Sequence, residues 1–428
     1  MKKVLIITYY WPPAGGPGVQ RWLKFVKYLK DFDIEPIVFV PENPHYPLQD
    51  ESLAQEVPYN TTLLKRPIKE PYGLAKLFSK NKTKQISSGI ISDNKQSLLE
   101  KCMLWVRGNF FIPDARVGWV KPSINYLKSY LKANPVDAII SSGPPHSLHL
   151  IGLGLKREVD IPWLADFRDP WTSIGYHKKL KLSKRSQKKH KQLESTVLQA
   201  CDAILVTSPS TKRQFETITN TPITVLTNGY DIEKTSEEPL DTDFTISHIG
   251  SLLSERNPEM LWKILAELVK ESKEFASKFK LQLAGTISED VIQSIEKHGL
   301  KNHLKNFGYI SHPEAISLQK KSQVLLLIEI DSIDTRAIIP GKLFEYMASN
   351  RPILALGPKG SDIEPLIIST QTGSFFDYFQ EKEIKKRISS WFNTYKNGSL
   401  VIDSKGVEAF SRKNLTKKLA ELLNEIKK

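Results

Sequence analysis

Hydrophobic positions along this chain fall into short unbroken runs separated by stretches of helical spacing. Val4-Leu5-Ile6-Ile7 is one such run, the pattern of a strand covered on both faces. After the Pro/Gly-rich segment 12–18, residues Trp22, Phe25, Val26 and Leu29 recur every three to four positions, as on one face of a helix. Residues 37–40 supply the next strand, so strand, loop, helix and strand open a doubly wound parallel sheet. Further strands are predicted at 138–140, 163–165, 203–206 and 223–226, the last followed by the turn dipeptide Asn228-Gly229.

The pattern then breaks and restarts. Residues 229–243 are acidic and polar and read as a linker between domains. A strand at 245–249 runs into Gly250-Ser251, Leu261, Ile264, Leu265 and Leu268 form a helical face, and strands follow at 281–283, 324–328 and 352–356. The fold class is therefore α/β with two Rossmann-like domains, 1–228 and 244–407. Leu415, Leu419, Leu422, Leu423 and Ile426 predict an amphipathic helix within 408–428. Residues 65–114 show weak periodicity and ten lysines and arginines, and read either as a surface insertion or as a helical flap carrying Trp105, Phe110 and Phe111.

Composition narrows the class without changing this picture. With 428 residues, 40% hydrophobic and 25% charged, the chain is neither a disordered segment nor a small stapled scaffold. Two cysteines, Cys102 and Cys201, provide no disulfide framework and point to a reducing compartment. The opening Met1-Lys2-Lys3 precedes only a short apolar run, and no run approaches the ~20 residues of a bilayer span, so a cytoplasmic protein is expected.

Charge changes the picture more. The net charge is +14, and residues 1–225 hold 33 basic against 19 acidic residues while the remainder holds 28 of each. Within 170–193 lie Lys178, Lys179, Lys181, Lys184, Arg185, Lys188, Lys189 and Lys191 and no acid. This run reads either as a solvated helix face or, over 178–191, as a contact with an anionic membrane, which would make the protein peripheral on the inner face of the cell membrane. No helix-turn-helix, RRM or KH pattern accompanies it, so nucleic acid is not expected as a partner.

Three clusters carry candidate chemistry. The Gly15-Gly16-Pro17-Gly18 loop joins a strand to a helix, where backbone N–H groups can face an anion. Arg21 stands where a dinucleotide fingerprint would have its third glycine, which disfavours NAD and leaves a tight turn or a loop shaping a substrate site. Asp166-Phe167-Arg168-Asp169-Pro170-Trp171 follows a strand, the place where open α/β sheets bind ligands; its competing reading is an internal ion pair. His146, in Gly143-Pro144-Pro145-His146, also follows a strand, either as a ligand contact or as a loop residue. In Pro340-Gly341-Lys342-Leu343-Phe344-Glu345-Tyr346, Lys342 and Glu345 share a face at a helix start, suited to a phosphate and a ribose or else to a plain ion pair.

The chain resembles the retaining GT-B glycosyltransferases of the family 4 type, which make bacterial polysaccharides and glycolipids. The resemblance rests on the Gly15-Gly16 loop, Asn228-Gly229-Tyr230-Asp231, Gly250-Ser251 with Arg256-Asn257-Pro258, Phe307-Gly308-Tyr309-Ile310 and the 340–346 string. It implies two domains facing across a cleft, a C-terminal helix crossing back to the first, and a nucleotide-sugar donor on a UDP, GDP or dTDP carrier. The acceptor would be a glycan or a polyprenyl-linked sugar.

By the same resemblance Gly16, Arg256, Tyr309, Ile310, Lys342 and Glu345 would bind the donor, with Arg256 and Lys342 on its diphosphate and Glu345 on its ribose. Gly15, His146 and Trp171 would face the acceptor, with Asp166, Arg168 and Asp169 as catalytic candidates and no metal or other cofactor required. Two departures stand out: Ala337 occupies the position eight before Glu345 where the family often has a glutamate, and Arg168 lies where many members have a histidine. A GT-B nucleotide-sugar epimerase and a non-catalytic binding protein of the same fold are the alternatives.

Overall fold

The computed structural model describes residues 1–70, 98–175, 177, 180–231, 238–398 and 400–426. The chain divides into two compact units, Met1–Thr227 with Arg412–Lys428, and Asn228–Ser411.

In the first unit, β1 (Lys2–Ile7), β2 (Ile34–Pro41), β3 (Thr62–Arg66), β4 (Ala138–Gly143), β5 (Trp163–Phe167), β6 (Ala203–Val206) and β7 (Ile223–Val225) form one parallel sheet. Its order is β3-β2-β1-β4-β5-β6-β7. The helices are α1 (Pro17–Leu29), α2 (Leu98–Phe110), α3 (Val120–Ala133), α4 (Ser147–Lys156), α5 (Lys184–Ala200) and α6 (Pro209–Glu216). Side chains alternate across β1: Leu5 and Ile7 join one core with Phe39, Trp119 and Trp163, while Val4 and Ile6 join another with Trp22, Val26 and Leu29. An unbroken apolar run is what two covered faces require. The edge strand β3 has no such run, because none of its side chains is fully buried.

The second unit repeats the scheme with β8 (Phe244–Ile249), β9 (Phe279–Ala284), β10 (Leu304–Asn306), β11 (Val324–Ile328), β12 (Ile353–Leu356) and β13 (Gly373–Phe376). The sheet is parallel, in the order β10-β9-β8-β11-β12-β13. Its helices are α7 (Glu259–Glu271), α8 (Lys273–Lys278), α9 (Glu289–Lys297), α10 (His312–Lys321), α11 (Gly341–Ala348), α12 (Ile363–Thr370) and α13 (Glu381–Lys396). The last helix, α14 (Arg412–Glu425), belongs to the first unit, where Leu415, Leu419 and Leu423 enter the core beside Trp22.

Some expected boundaries move. Lys65 and Arg66 belong to β3, so the segment read as an insertion begins after them; residues 71–97 lie outside the described residues, and Trp105 and Phe110 sit on α2. The stretch read as a linker is part of the second unit at both described ends. Tyr230 N donates to Phe410 O, and Asp241 accepts from Gln282 Nε2 at 3.2 Å. Counted by unit, the first holds 39 basic and 21 acidic residues and the second 22 and 26, so the charges are +18 and −4.

Candidate active site

In each unit the strand order reverses beside the opening strand, between β1 and β4 in the first and between β8 and β11 in the second. The carboxyl ends of the strands at such a switch point leave a crevice where ligands bind.

In the second unit the GKLFEY string is built to fix that crevice. Leu343, Phe344, Tyr346 and Met347 are the buried face of α11. The Tyr346 hydroxyl accepts from Ile249 N at 2.8 Å and donates to Ile249 O at 3.1 Å, tying the helix to the end of β8. Lys342 then faces the end of β8. Lys342 Nζ lies 3.3 Å from His248 Nε2, and His248 Nδ1 lies 3.0 Å from Leu326 O, which places the imidazole proton on Nδ1 and a lone pair toward the lysine. Gly250, at φ 125°, leaves room for this: a Cβ there would stand 2.9 Å from Lys342 Nζ.

Glu329, directly after β11 and 1% exposed, completes the group. Its Oε2 lies 3.4 Å from Arg256 Nη2, and its carboxylate also attracts Lys342. Burial pushes the Lys342 ammonium down to about 8, with Glu329 opposing and Arg256 adding to the effect. Burial also raises the Glu329 carboxyl against the pull of Arg256 and Lys342, and holds His248 neutral, well below its ordinary value. Arg256 and Lys342 thus both draw on the buried Glu329, with Glu345 also attracting Lys342, and Arg256 Nε has no partner among the described residues. Two cations therefore converge at the switch point.

Glu345 accepts a hydrogen bond from Gln319 Nε2 at 3.3 Å. Tyr309 is exposed in the loop after β10, with Ile310 half-buried against the α11 core. Sequence reading did not single out Glu329 or His248. Glu329 continues the apolar run of β11, so only the fold reveals that it reaches Arg256 and Lys342.

In the first unit the Asp166 cluster separates into three roles. Asp166 is fully buried, with Arg21 Nη2 at 2.9 Å from Oδ1, and Trp22 Nε1 and Ser142 Oγ donating to Oδ2 at 2.8 and 2.7 Å. Burial alone would raise its carboxyl, but Arg21 and the Ser142 bond outweigh it and hold it below the ordinary value. This is the internal ion pair, and it explains why Arg21 stands where a third glycine was absent. Arg168 donates to Gly18 O at 2.8 Å, to Gly143 O and to Pro144 O, fastening the Gly15-Gly16 loop to the loop after β4. Gly16, at φ 91°, is the N-cap of α1, and Gly15 N donates to Leu48 O at 3.0 Å.

Asp169 alone of the two carboxylates reaches open space. It lines a cavity of about 280 Å³ with Tyr10, Pro144, Pro145, His146 and Trp171. His146 stacks on Trp171 with ring centroids 5.0 Å apart and planes within 2°. Trp171 Nε1 donates to His190 Nδ1 at 3.2 Å. Of the first-unit candidates, His146, Asp169 and Trp171 come together, while Asp166 and Arg168 brace the structure around them.

Two parallel sheets, each with its crevice at the switch point, define the GT-B class. Residues 90–234 match the model of Glycosyltransferase Family 4, and residues 231–399 match that of Glycosyl transferases group 1. The chain belongs to the family 4 type of GT-B glycosyltransferases, and it is an enzyme of that kind. No curated protein matches the sequence. Solved structures share the fold at low identity. A trehalose-6-phosphate protein from E. coli bound with UDP-2-fluoro glucose superposes with a TM-score of 0.62 at 10% identity, covering 99% of both chains. The lipopolysaccharide outer core galactosyltransferase WaaB gives 0.58 at 14%, again over 99% of both. Sucrose-phosphate synthase from Thermosynechococcus elongatus gives 0.59 at 13% over 99% of both.

Proposed function

We propose that this enzyme transfers a sugar from a nucleotide-sugar donor to a glycan or lipid-linked acceptor, with retention of configuration, in the synthesis of bacterial surface polysaccharide or glycolipid. The observation that carries the reading is the pair Arg256 and Lys342 sharing the single buried carboxylate of Glu329 at the β8/β11 switch point. As the bond from the sugar to the diphosphate breaks, negative charge gathers on the departing phosphate, and cations fixed beforehand stabilise it without reorganising. In this proposal Arg256 and Lys342 meet that charge in place of a metal ion, and Glu345 binds the ribose hydroxyls. The neighbour bound with UDP-2-fluoro glucose makes UDP-sugars the first donors to test.

The first unit receives the acceptor and rests on the anionic inner face of the cell membrane. Lys181, Lys184, Arg185, Lys188, Lys189 and Lys191 are all exposed, and Ser186, His190 and Glu194 form the buried face of α5. Lys178 and Lys179 lie outside the described residues. Trp105 and Phe110, 44% and 70% exposed, project from α2. Asn109 Oδ1 on α2 accepts from Ser183 N at 2.8 Å, so aromatic and basic side chains adjoin. Among the described residues no helix is long and apolar enough to cross a membrane.

Thermal unfolding with UDP-, GDP- and dTDP-sugars tests the donor site: one of them raises the midpoint, and Lys342→Met abolishes the rise. No rise with any overturns the reading. Turnover of a nucleotide sugar without acceptor identifies an epimerase instead, and loss of transfer on chelation refutes the metal-free proposal. Sedimentation with vesicles tests the surface: equal partitioning to neutral and anionic lipid removes it.

A further inference from the structure

A lysine ammonium carries three N–H groups on a flexible stem, so a site that needs its charge in one place must also fix its direction. Among the described residues Lys342 Nζ makes one hydrogen bond, donated to His248 Nε2 at 3.3 Å. His248 is fully buried in β8, and its Nδ1, 3.0 Å from Leu326 O, can meet that carbonyl only by donating to it. The ring is thereby fastened to β11, and its one lone pair, on Nε2, is aimed at the lysine. The charged and polar groups around this contact are Glu329 after β11, Arg256 from the loop after β8, Glu345 on α11 and the backbone of Ser251.

Glu329 and Glu345 already balance Arg256 and Lys342, so a third carboxylate at position 248 would hold the ammonium but leave the group negative, opposed to a phosphate. A neutral imidazole accepts one N–H and cancels no charge. Burial keeps His248 neutral, with the nearby Lys342 and Arg256 adding to the effect. We propose that His248 is a positioning residue for Lys342: by accepting one N–H it holds the ammonium at the end of β8, with its other two N–H groups and its full charge left for the donor phosphate. The proposal rests on the donor reading only in naming what the lysine then meets; the contact itself is judged without a donor.

Three substitutions in the full chain separate the two bonds of the imidazole. Asparagine puts an amide N–H where Nδ1 stands and reaches no further, glutamine puts an amide oxygen where Nε2 stands, and leucine does neither. Affinity for whichever of UDP, GDP and dTDP the parent binds is expected to fall about tenfold in His248→Asn and His248→Leu and to stay within about threefold in His248→Gln. The Lys342 ammonium, followed by its side-chain resonance and assigned with Lys342→Met, titrates near 8 in the parent. It should drop below about 7 in the Asn and Leu variants and recover with Gln, because a lost acceptor disfavours the charged form. A purely structural histidine predicts the reverse order, with His248→Asn nearest the parent; that order, or no change in any variant, overturns the proposal. Where a variant melts early, the His248 ring nitrogens of the parent decide: Nδ1 protonated, and Nε2 unprotonated and displaced by Lys342→Met. A protonated Nε2, or one that Lys342→Met leaves unmoved, overturns it equally. If the parent binds none of the three nucleotides while the Lys342 titration follows His248, the donor reading falls and the contact stands. Nucleotide binding indifferent to all three substitutions sinks the positioning role alone.

Discussion

In the first unit the buried charges brace the fold, Arg21 against Asp166 and Arg168 against three backbone carbonyls, whereas in the second Arg256 and Lys342 converge on Glu329 and Arg256 Nε keeps no partner among the described residues. The unit with the large positive excess keeps its innermost ion pair satisfied, and the unit with a charge of −4 holds the two cations that converge on one buried carboxylate. Net charge therefore describes a surface, while a site depends on which ions lack a partner in a dry place.

The largest expected effect breaks the structural half of this contrast. Asp166→Ala leaves Arg21 buried and unpaired and should cost about 3–5 kcal/mol in urea unfolding. A loss below about 1 kcal/mol would show that the pair is not bracing the fold. Next, Lys342→Met should lower kcat/KM for the donor by about 10²–10³, as removal of a fixed transition-state cation does, with the unfolding midpoint unchanged or higher. If it melts early instead, Lys342 is as structural as Arg21.

The pH dependence sharpens the same point. Lys342 titrates near 8 in the folded chain against an ordinary 10.5, so between these values the unfolded chain binds more protons and this contribution to stability rises with pH. Below pH 8 the full cost of burying the ammonium is present, and it is relieved as pH climbs toward 10.5. Unfolding of the parent and Lys342→Met proteins across pH 7–10 should show the steeper rise in the parent; parallel curves would contradict it. Donor affinity should fall above pH 8 as the charge is lost. Smallest is Lys188→Gln, which should weaken partitioning to anionic vesicles by about 1 kcal/mol and leave stability within about 0.5 kcal/mol.

The central strands were legible because burial on both faces demands uninterrupted apolar residues, as in β1, β6 and β11. Of the edge strands, β7 was legible from its largely apolar residues 223–226, whereas β3, β10 and β13 were missed because most of their side chains are exposed or half-buried and break the run. Lys342 and Glu345 were legible because helical spacing alone puts them on one face. Glu329 was not: eight positions before Glu345 the chain offers Ala337, and the carboxylate arrives from the end of a neighbouring strand.

By itself the sequence determined the two doubly wound halves, the helix that closes the chain and the clusters where chemistry could lie, since periodicity and turn residues are local properties. Only the tertiary structure decided what each charge does. It paired Asp166 with Arg21 across 145 positions, put Asp169 and His146 in the wall of one cavity, and set Glu329 between Arg256 and Lys342. Whether a buried charge braces the fold or waits for a ligand depends on the partner opposite it, and here that partner comes from a helix or turn distant in sequence, Arg21 on α1 for Asp166, and Arg256 and Lys342 for Glu329.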